Sequence, residues 1–216
     1  MIDLNLGMHT CIDQLLSKIR PKTTAILRAR AYYDVPAALL GQYKTHIWGL
    51  VECHCGAYFH AATTLLDKIG QVQRSFLIKL GISECDAFLE FNFAPTALRR
   101  NIAILGLLHK RVIGQAHPTF ERLLPFYAQR FGEERGRGHN KPLYGHWLEA
   151  TYHQSLWARS IFCMVDIYNN LPQYVVDADC VSDFQHLLTD IAKERLRQGN
   201  QLWFMSFCAR RGPEVM

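Results

Sequence analysis

The chain has 216 residues, of which 49% are hydrophobic and 20% charged, a balance that excludes disorder over its whole length. No apolar run approaches the roughly 20 residues of a membrane-spanning helix, and the opening MIDLNLGMHTCIDQ lacks the basic start and apolar core of a signal peptide. Seven irregularly spaced cysteines do not form a disulfide framework and indicate a reducing compartment. We therefore expect an intracellular protein, nuclear or cytoplasmic, with no membrane partner.

The net charge of +5 is unevenly distributed along the chain. Residues 93–141 contain nine Lys or Arg against three Glu, so the remainder of the chain is close to neutral. A local excess of this kind favours an anionic partner, with nucleic acid as the first candidate. The alternative is that these charges form a solvated surface with no partner.

Helical periodicity dominates the first half of the chain. Pro36 begins a long apolar segment that predicts a largely buried helix ending near His60. A regular apolar stripe over residues 65–80 predicts the clearest amphipathic helix of the sequence. Ser83 and Asp86 have the spacing of a capping box and predict the start of a short third helix.

The second half is interpreted as a central helix, a linker and two further helices. Pro95 begins a segment, ended by Gly114, whose apolar face is too broad for a surface helix. Residues 131–142 are polar and rich in glycine, as is typical of a linker. Residues 155–169 and 181–198 then read as two more helices.

Together these elements predict an all-α fold, because no long alternating strand pattern occurs. We expect a multi-helix bundle in two packed subdomains. The first helical subdomain would cover residues 1–130, and the second would cover residues 143–216. The polar linker, residues 131–142, would join them.

The sequence contains none of the common enzyme signatures, such as a phosphate-binding loop or a nucleophile elbow. It also shows no pair of acidic residues on an apolar strand that could hold two metal ions. We therefore predict no catalytic residue and no cofactor. An enzyme that motifs do not reveal, using a thiol or a metal, remains an open alternative.

The only metal-like cluster comprises Cys53, His54, Cys55 and His60. On a helix the two cysteines point about 200° apart, so both cannot face one ion. We expect no metal here, and interpret the cysteines as buried thiols.

The helix after Pro95 carries a basic pattern. Residues 11 apart on a helix return to within about 20° of each other, roughly 16 Å along the axis. Two parallel rows result, and they consist of Arg99 with Lys110, and Arg100 with Arg111. Such rows suit contacts to the phosphates of a nucleic-acid backbone. The alternative is that they only flank a core helix.

The chain resembles, over roughly residues 40–188, the region after the palm in reverse transcriptases of non-LTR (LINE-type) retrotransposons. A VQ-R-FL element is carried by Val72, Gln73, Arg74, Phe76 and Leu77. An L-RR-IA-L-L-H pattern is carried by Leu98, Arg99, Arg100, Ile102, Ala103, Leu105, Leu108 and His109. The tail of that family is matched by Arg159, Ser160, Phe162, Asn170, Leu171, Pro172, Val181, Phe184 and Leu188.

The resemblance implies a thumb-like first subdomain, a tail subdomain and no activity of its own, because the family's catalytic aspartates belong to a palm segment absent from this sequence. It implies a non-catalytic, nucleic-acid-binding remnant of an RNA-directed DNA polymerase. The family's thumb packs beside the template and primer, so the partner would be duplex or hybrid nucleic acid. The residues expected to contact its backbone are Arg99, Arg100, Lys110 and Arg111. The alternative is an inert or repurposed helical protein-interaction domain.

Overall fold

A computed structural model describes residues 7–32, 35–53, 55–126, 139–144 and 159–208. The chain forms two compact units, one of residues 1–100 with 196–205 and the other of residues 101–195 with 206–216. Most of the predicted linker, residues 131–142, lies outside the described residues, so the subdomain bounds predicted from the sequence stay a prediction.

The described parts of the chain are helical and contain no β-strand, apart from one isolated bridge between Phe126 and Leu143. The α-helices are α1 (His9–Ala29), α2 (Pro36–Tyr43), α3 (Gly49–Cys53), α4 (Cys55–Tyr58), α5 (Thr63–Leu80), α6 (Glu84–Phe91), α7 (Thr96–Val112), α8 (Pro118–Leu123), α9 (Met164–Asn169), α10 (Gln173–Val176) and α11 (Val181–Arg197). A π-helical turn, Lys44–Trp48, joins α2 to α3, and 3-10 turns lie at Ile161–Cys163 and Trp203–Met205. Among the described helices, none combines the length and apolar character needed to cross a bilayer. The prediction of an all-α multi-helix fold is confirmed.

Several helix boundaries follow from the local signals in the sequence. Helix α5 ends where Gly81 adopts the left-handed conformation, with φ of 73°. The Ser83 hydroxyl accepts a hydrogen bond from the Asp86 backbone N–H at 3.0 Å, so the predicted cap of α6 is present. Pro36 lies in the first turn of α2, where its missing N–H costs nothing.

Other elements differ from the sequence-based expectations. The single helix expected after Pro36 is interrupted by the π-helical turn and reaches only Tyr58. The helix expected over residues 155–169 is shorter in its described part, because a 3-10 turn precedes α9. Helix α1 was not among the predicted elements, since Pro21 in its interior removes a backbone donor and disfavours a helix.

An aromatic cluster forms the core of the first unit, and we define it as Tyr43, Trp48, Phe76 and Phe93. The Phe93 ring centroid lies 5.2 Å from that of Tyr43 and 4.9 Å from that of Trp48, and the side chain is fully buried. The Gln73 side chain donates to the Ala94 carbonyl at 2.9 Å. The Gln of the VQ-R-FL element therefore holds the segment that carries Phe93 against α5.

The core of the second unit centres on a buried histidine. The imidazole of His109 stacks on Phe184 of α11 with the ring centroids 4.1 Å apart. Its Nδ1 lies 3.1 Å from the Tyr168 hydroxyl and its Nε2 lies 2.9 Å from the Ala178 carbonyl. Gly106 faces α11, where a Cβ would lie 3.2 Å from Val181 Cγ1 and would displace the flexible Gln185 amide. His109 is therefore a buried ring with a polar partner at each nitrogen.

A short segment, His139–Tyr144, is fastened to α9 and α10. The Asn169 side-chain amide donates to the Leu143 carbonyl and accepts from the Leu143 N–H, both at 2.9 Å. His139 Nε2 lies 2.9 Å from the Tyr168 carbonyl, and its Nδ1 accepts from the Lys141 N–H at 3.1 Å. Because a carbonyl can only accept a hydrogen bond, Nε2 of His139 carries the hydrogen. Because Nδ1 accepts from an N–H, it carries none, and the ring is neutral.

We expect the substitution Phe93→Ala to lower the free energy of unfolding by about 3–5 kcal/mol, because it leaves a cavity inside the aromatic cluster. Ile78→Ala is the matched control, since this side chain is 76% exposed, and its effect should stay below about 0.5 kcal/mol. Chemical denaturation followed by tryptophan fluorescence measures both. Equal, small decreases for the two variants would contradict the assigned core.

The two buried histidines should make the second unit sensitive to acid. Burial lowers the pKa of His109 and of His139 below 6.5, although hydrogen bonds to the Ala178 and Tyr168 carbonyls oppose this. The two histidines stabilise the fold fully at pH values above the pKa that histidine has in the unfolded chain. This stabilisation is lost as the pH falls from about 6.5 through the lowered pKa values of the folded state.

The denaturation midpoint should therefore be lower at about pH 5.5 than at about pH 7.5. A His109→Gln, His139→Gln variant should lose part of this pH dependence, whatever its absolute stability. A midpoint of the native chain that stays constant between these pH values would argue against two neutral buried imidazoles.

Candidate nucleic-acid interface

The four cations predicted on α7 differ in their exposure to solvent. Arg99 and Arg100 belong to the first unit, whereas Lys110 and Arg111 belong to the second. Only Lys110 is exposed, while Arg99 and Arg100 are partly buried and Arg111 is just 8% exposed. One of the four cations is therefore exposed, and their contact with a nucleic-acid backbone stays a prediction.

Arg99 is engaged within the first unit. Its guanidinium forms an ion pair with Glu52 and lies over the Trp48 ring, with Cζ 3.5 Å from the ring centroid. A planar guanidinium suits stacking on an aromatic face, which adds a cation–π attraction to the ion pair. Since Trp48 also stacks on Phe93, Arg99 completes the edge of the aromatic cluster.

Arg100 is partly buried, and its charge influences two groups of α4. Burial raises the pKa of Tyr58 and the pKa of Cys55, and in both cases the positive charge of Arg100 acts in the opposite direction. Part of the Arg100 side chain is left accessible to solvent.

Arg111 is part of the core of the second unit. Its Nε donates to the Leu124 carbonyl at 3.2 Å, and its guanidinium lies over the Phe126 ring at 4.5 Å from the centroid. Arginine buries its stem and stacks its planar head more readily than lysine does. The neighbouring Lys110 remains exposed, and no ion pair to it occurs among the described residues.

A different set of cations is accessible on α1. Lys18, Arg20, Lys22 and Arg28 are all exposed, and the only carboxylate within the helix is Asp13. None of these four cations forms an ion pair in the part of the chain that the structure describes. Helix α1 therefore presents uncompensated positive charge on its exposed surface.

The sequence contains a signal for these residues. Between Asp13 and Asp34 there are five Lys or Arg and no acidic residue, so the basic density is higher than over residues 93–141. This basic run lies outside the motifs that carry the resemblance. It also contains Pro21, which disfavours a helix, so the sequence pattern did not predict an exposed basic helix here. An unbroken run of one sign of charge was the relevant observation.

The cysteines give no support for a metal centre among the described residues. Cys55 is buried as expected, whereas Cys53 is exposed, so the interpretation of both as buried thiols was wrong for Cys53, because the two side chains diverge around the helix. No group of three or more metal-binding side chains comes together in the described ranges, and His54 lies outside them. All seven cysteines are described, and none of them forms a disulfide.

Arg99→Ala should lower the free energy of unfolding by about 1–2 kcal/mol, because it removes a stacking partner of Trp48 and leaves Glu52 unpaired. Arg99→Lys should recover only part of this decrease, since an ammonium cannot stack as a plane. Lys110→Ala is the control and should change stability by less than about 0.5 kcal/mol. Denaturation of the three variants measures this. If Arg99→Ala and Lys110→Ala behave alike, Arg99 is a solvated surface cation after all.

Comparison with known proteins identifies no relative of this chain. No protein-family model, no curated protein and no solved structure matches the chain.

Proposed function

We propose that this chain is a non-catalytic nucleic-acid-binding protein that contacts the phosphate backbone of duplex or hybrid nucleic acid. The proposal follows the resemblance to the thumb and tail of non-LTR retrotransposon reverse transcriptases. It assigns the chain no primer extension, because two-metal phosphoryl transfer requires paired carboxylates in one site. It places the protein inside the cell, where reducing conditions keep cysteines as thiols.

The observation that carries the proposal is the surface of α1, with four exposed cations against one carboxylate. Cations that already form ion pairs gain little from a new partner, since the old pair must first be broken. The α1 cations have no such pair among the described residues. Each can therefore neutralise a phosphate and release condensed counterions, which is the main source of sequence-independent affinity.

The distribution of charge supports the same surface. By sequence the first unit contains twelve Lys or Arg and eight Asp or Glu, whereas the second contains twelve and eleven. Most of the net charge of +5 therefore belongs to the unit that contains α1. A field of one sign attracts a polyanion and raises the rate of encounter.

Helix α7 has a reduced role in this proposal. Lys110 is the one exposed cation of its predicted basic rows, and Arg100 is partly accessible. Both stay candidates for a backbone contact. Arg99 and Arg111 are assigned to the folded cores, so replacing them would test stability rather than binding.

The test is the salt dependence of binding to a labelled RNA–DNA hybrid, measured by fluorescence anisotropy. A Lys18→Gln, Lys22→Gln, Arg28→Gln variant should bind more weakly and should reduce the slope of log K against log salt by up to about 0.9 for each phosphate that it no longer neutralises. The charge-conserving variant Lys18→Arg, Lys22→Arg, Arg28→Lys is the matched control and should keep the slope.

Two results would overturn the proposal in different ways. An unchanged slope in the glutamine variant would remove α1 from the interface. A correctly folded wild-type protein with no measurable affinity at low salt would favour the alternative, a helical protein-interaction domain.

A further inference from the structure

Helices α1 and α5 line an open groove of about 340 Å³ in the first unit. Its polar lining comprises Arg20 and Thr24 of α1 and Lys68, Gln71, Ser75 and Lys79 of α5. Apolar side chains, among them Val72 and Leu27, line the rest. The volume is at the lower end of the range for small-ligand sites.

The charge inside the groove has one sign. Three cations line it and no carboxylate does. None of the three forms an ion pair within the described ranges. The nearest carboxylate along α5 is Asp67, which is occupied by Arg74 at 2.7 Å and by the Gln71 amide at 3.1 Å. The groove is therefore a positively charged site without an internal counterion.

The α5 wall presents a regular row of donors. Lys68, Gln71, Ser75 and Lys79 are spaced by three, four and four residues, so they lie on successive turns of one helix face. The row extends roughly 16 Å from its first to its last member. Arg20 lies on the opposite wall, while the Thr24 hydroxyl already donates to the Arg20 carbonyl at 3.1 Å.

This arrangement has the chemistry of a phosphate site. A phosphate offers several acceptor oxygens in different directions, and it suits a guanidinium on one side and ammonium groups on the other. Along one strand of a duplex the phosphates are about 3.4 Å apart on the axis, so the length of the row covers several of them. The apolar lining can meet a sugar or a base edge, which a bare surface cation cannot.

We infer that the α1–α5 groove is a binding site for phosphate groups, with Arg20, Lys68 and Lys79 as the charged donors and Ser75 and Gln71 as neutral ones. The phosphates have two possible sources, a polynucleotide strand or a free phosphorylated compound. The inference goes beyond the proposed function, because the groove would also bind a phosphate compound that is not part of a nucleic acid.

Pyrophosphate and a single-stranded oligonucleotide are the two probes, each titrated calorimetrically into the full chain. The variant Arg20→Gln, Lys68→Gln, Lys79→Gln removes the three charges and keeps exposed, helix-compatible side chains. Its affinity for pyrophosphate should fall at least about tenfold, the decrease expected when even one hydrogen bond to a charged group is removed. The matched control is Arg122→Gln, Arg195→Gln, Arg197→Gln, which removes equal charge from exposed positions outside the groove and should leave pyrophosphate binding within about twofold.

The two probes separate the sources and the two proposals. If the groove variant weakens both probes more than the control does, a nucleic-acid strand occupies the groove. If it weakens pyrophosphate alone, the ligand is a free phosphate compound. If pyrophosphate does not bind, or if both variants weaken it equally, the groove inference is overturned. In that case, oligonucleotide binding that depends on salt would still leave the proposed function standing.

Discussion

Burial of Phe93 against the other rings of the aromatic cluster is the interaction on which the first unit depends. Phe93 lies in the short connection between α6 and α7, yet it contacts rings from α2 and from the π-helical turn. The Gln73 amide fixes the backbone beside it, and Arg99 covers the outer face of Trp48. The Phe93 ring thus packs on one face of Trp48, and Arg99, the first arginine of α7, packs on the same indole instead of acting as a free surface cation.

The same constraint explains what the sequence could and could not predict. The stripe of α5, the Gly81 stop and the Ser83 cap depend on residues a few positions apart, so local periodicity was sufficient to predict them. The burial of Arg99 depends on Trp48 and Glu52, and the burial of Arg111 depends on Leu124 and Phe126. No local sequence pattern indicates these partners. Residue type alone predicted a charge, whereas the fold determined whether solvent reaches it.

The candidate interface is therefore on α1 rather than on α7. A count of charges along residues 93–141 treats every cation as equal, although two of them serve as packing elements and three lie outside the described residues. Helix α1 has a simpler composition, in which Ile12, Leu15, Leu16, Ile19 and Ile26 are buried and the cations have only the exposed surface left. When apolar and charged residues separate onto two faces in this way, the exposure of each cation can be predicted once the helix is recognised. Pro21 made the helix hard to predict from the sequence.

The π-helical turn Lys44–Trp48 has a consequence for how this chain can change in length. A π turn contains one residue more than an α turn, so every side chain that follows it is rotated by about 100° relative to an uninterrupted helix. With this rotation, Val51 is buried and Glu52 is placed beside Arg99. Deleting a single residue from the turn would remove this excess residue and restore α geometry, so Val51 and Glu52 would keep their positions. The segment can therefore lose one residue at this turn without moving the side chains that follow it, although it has the appearance of an ordinary buried helix.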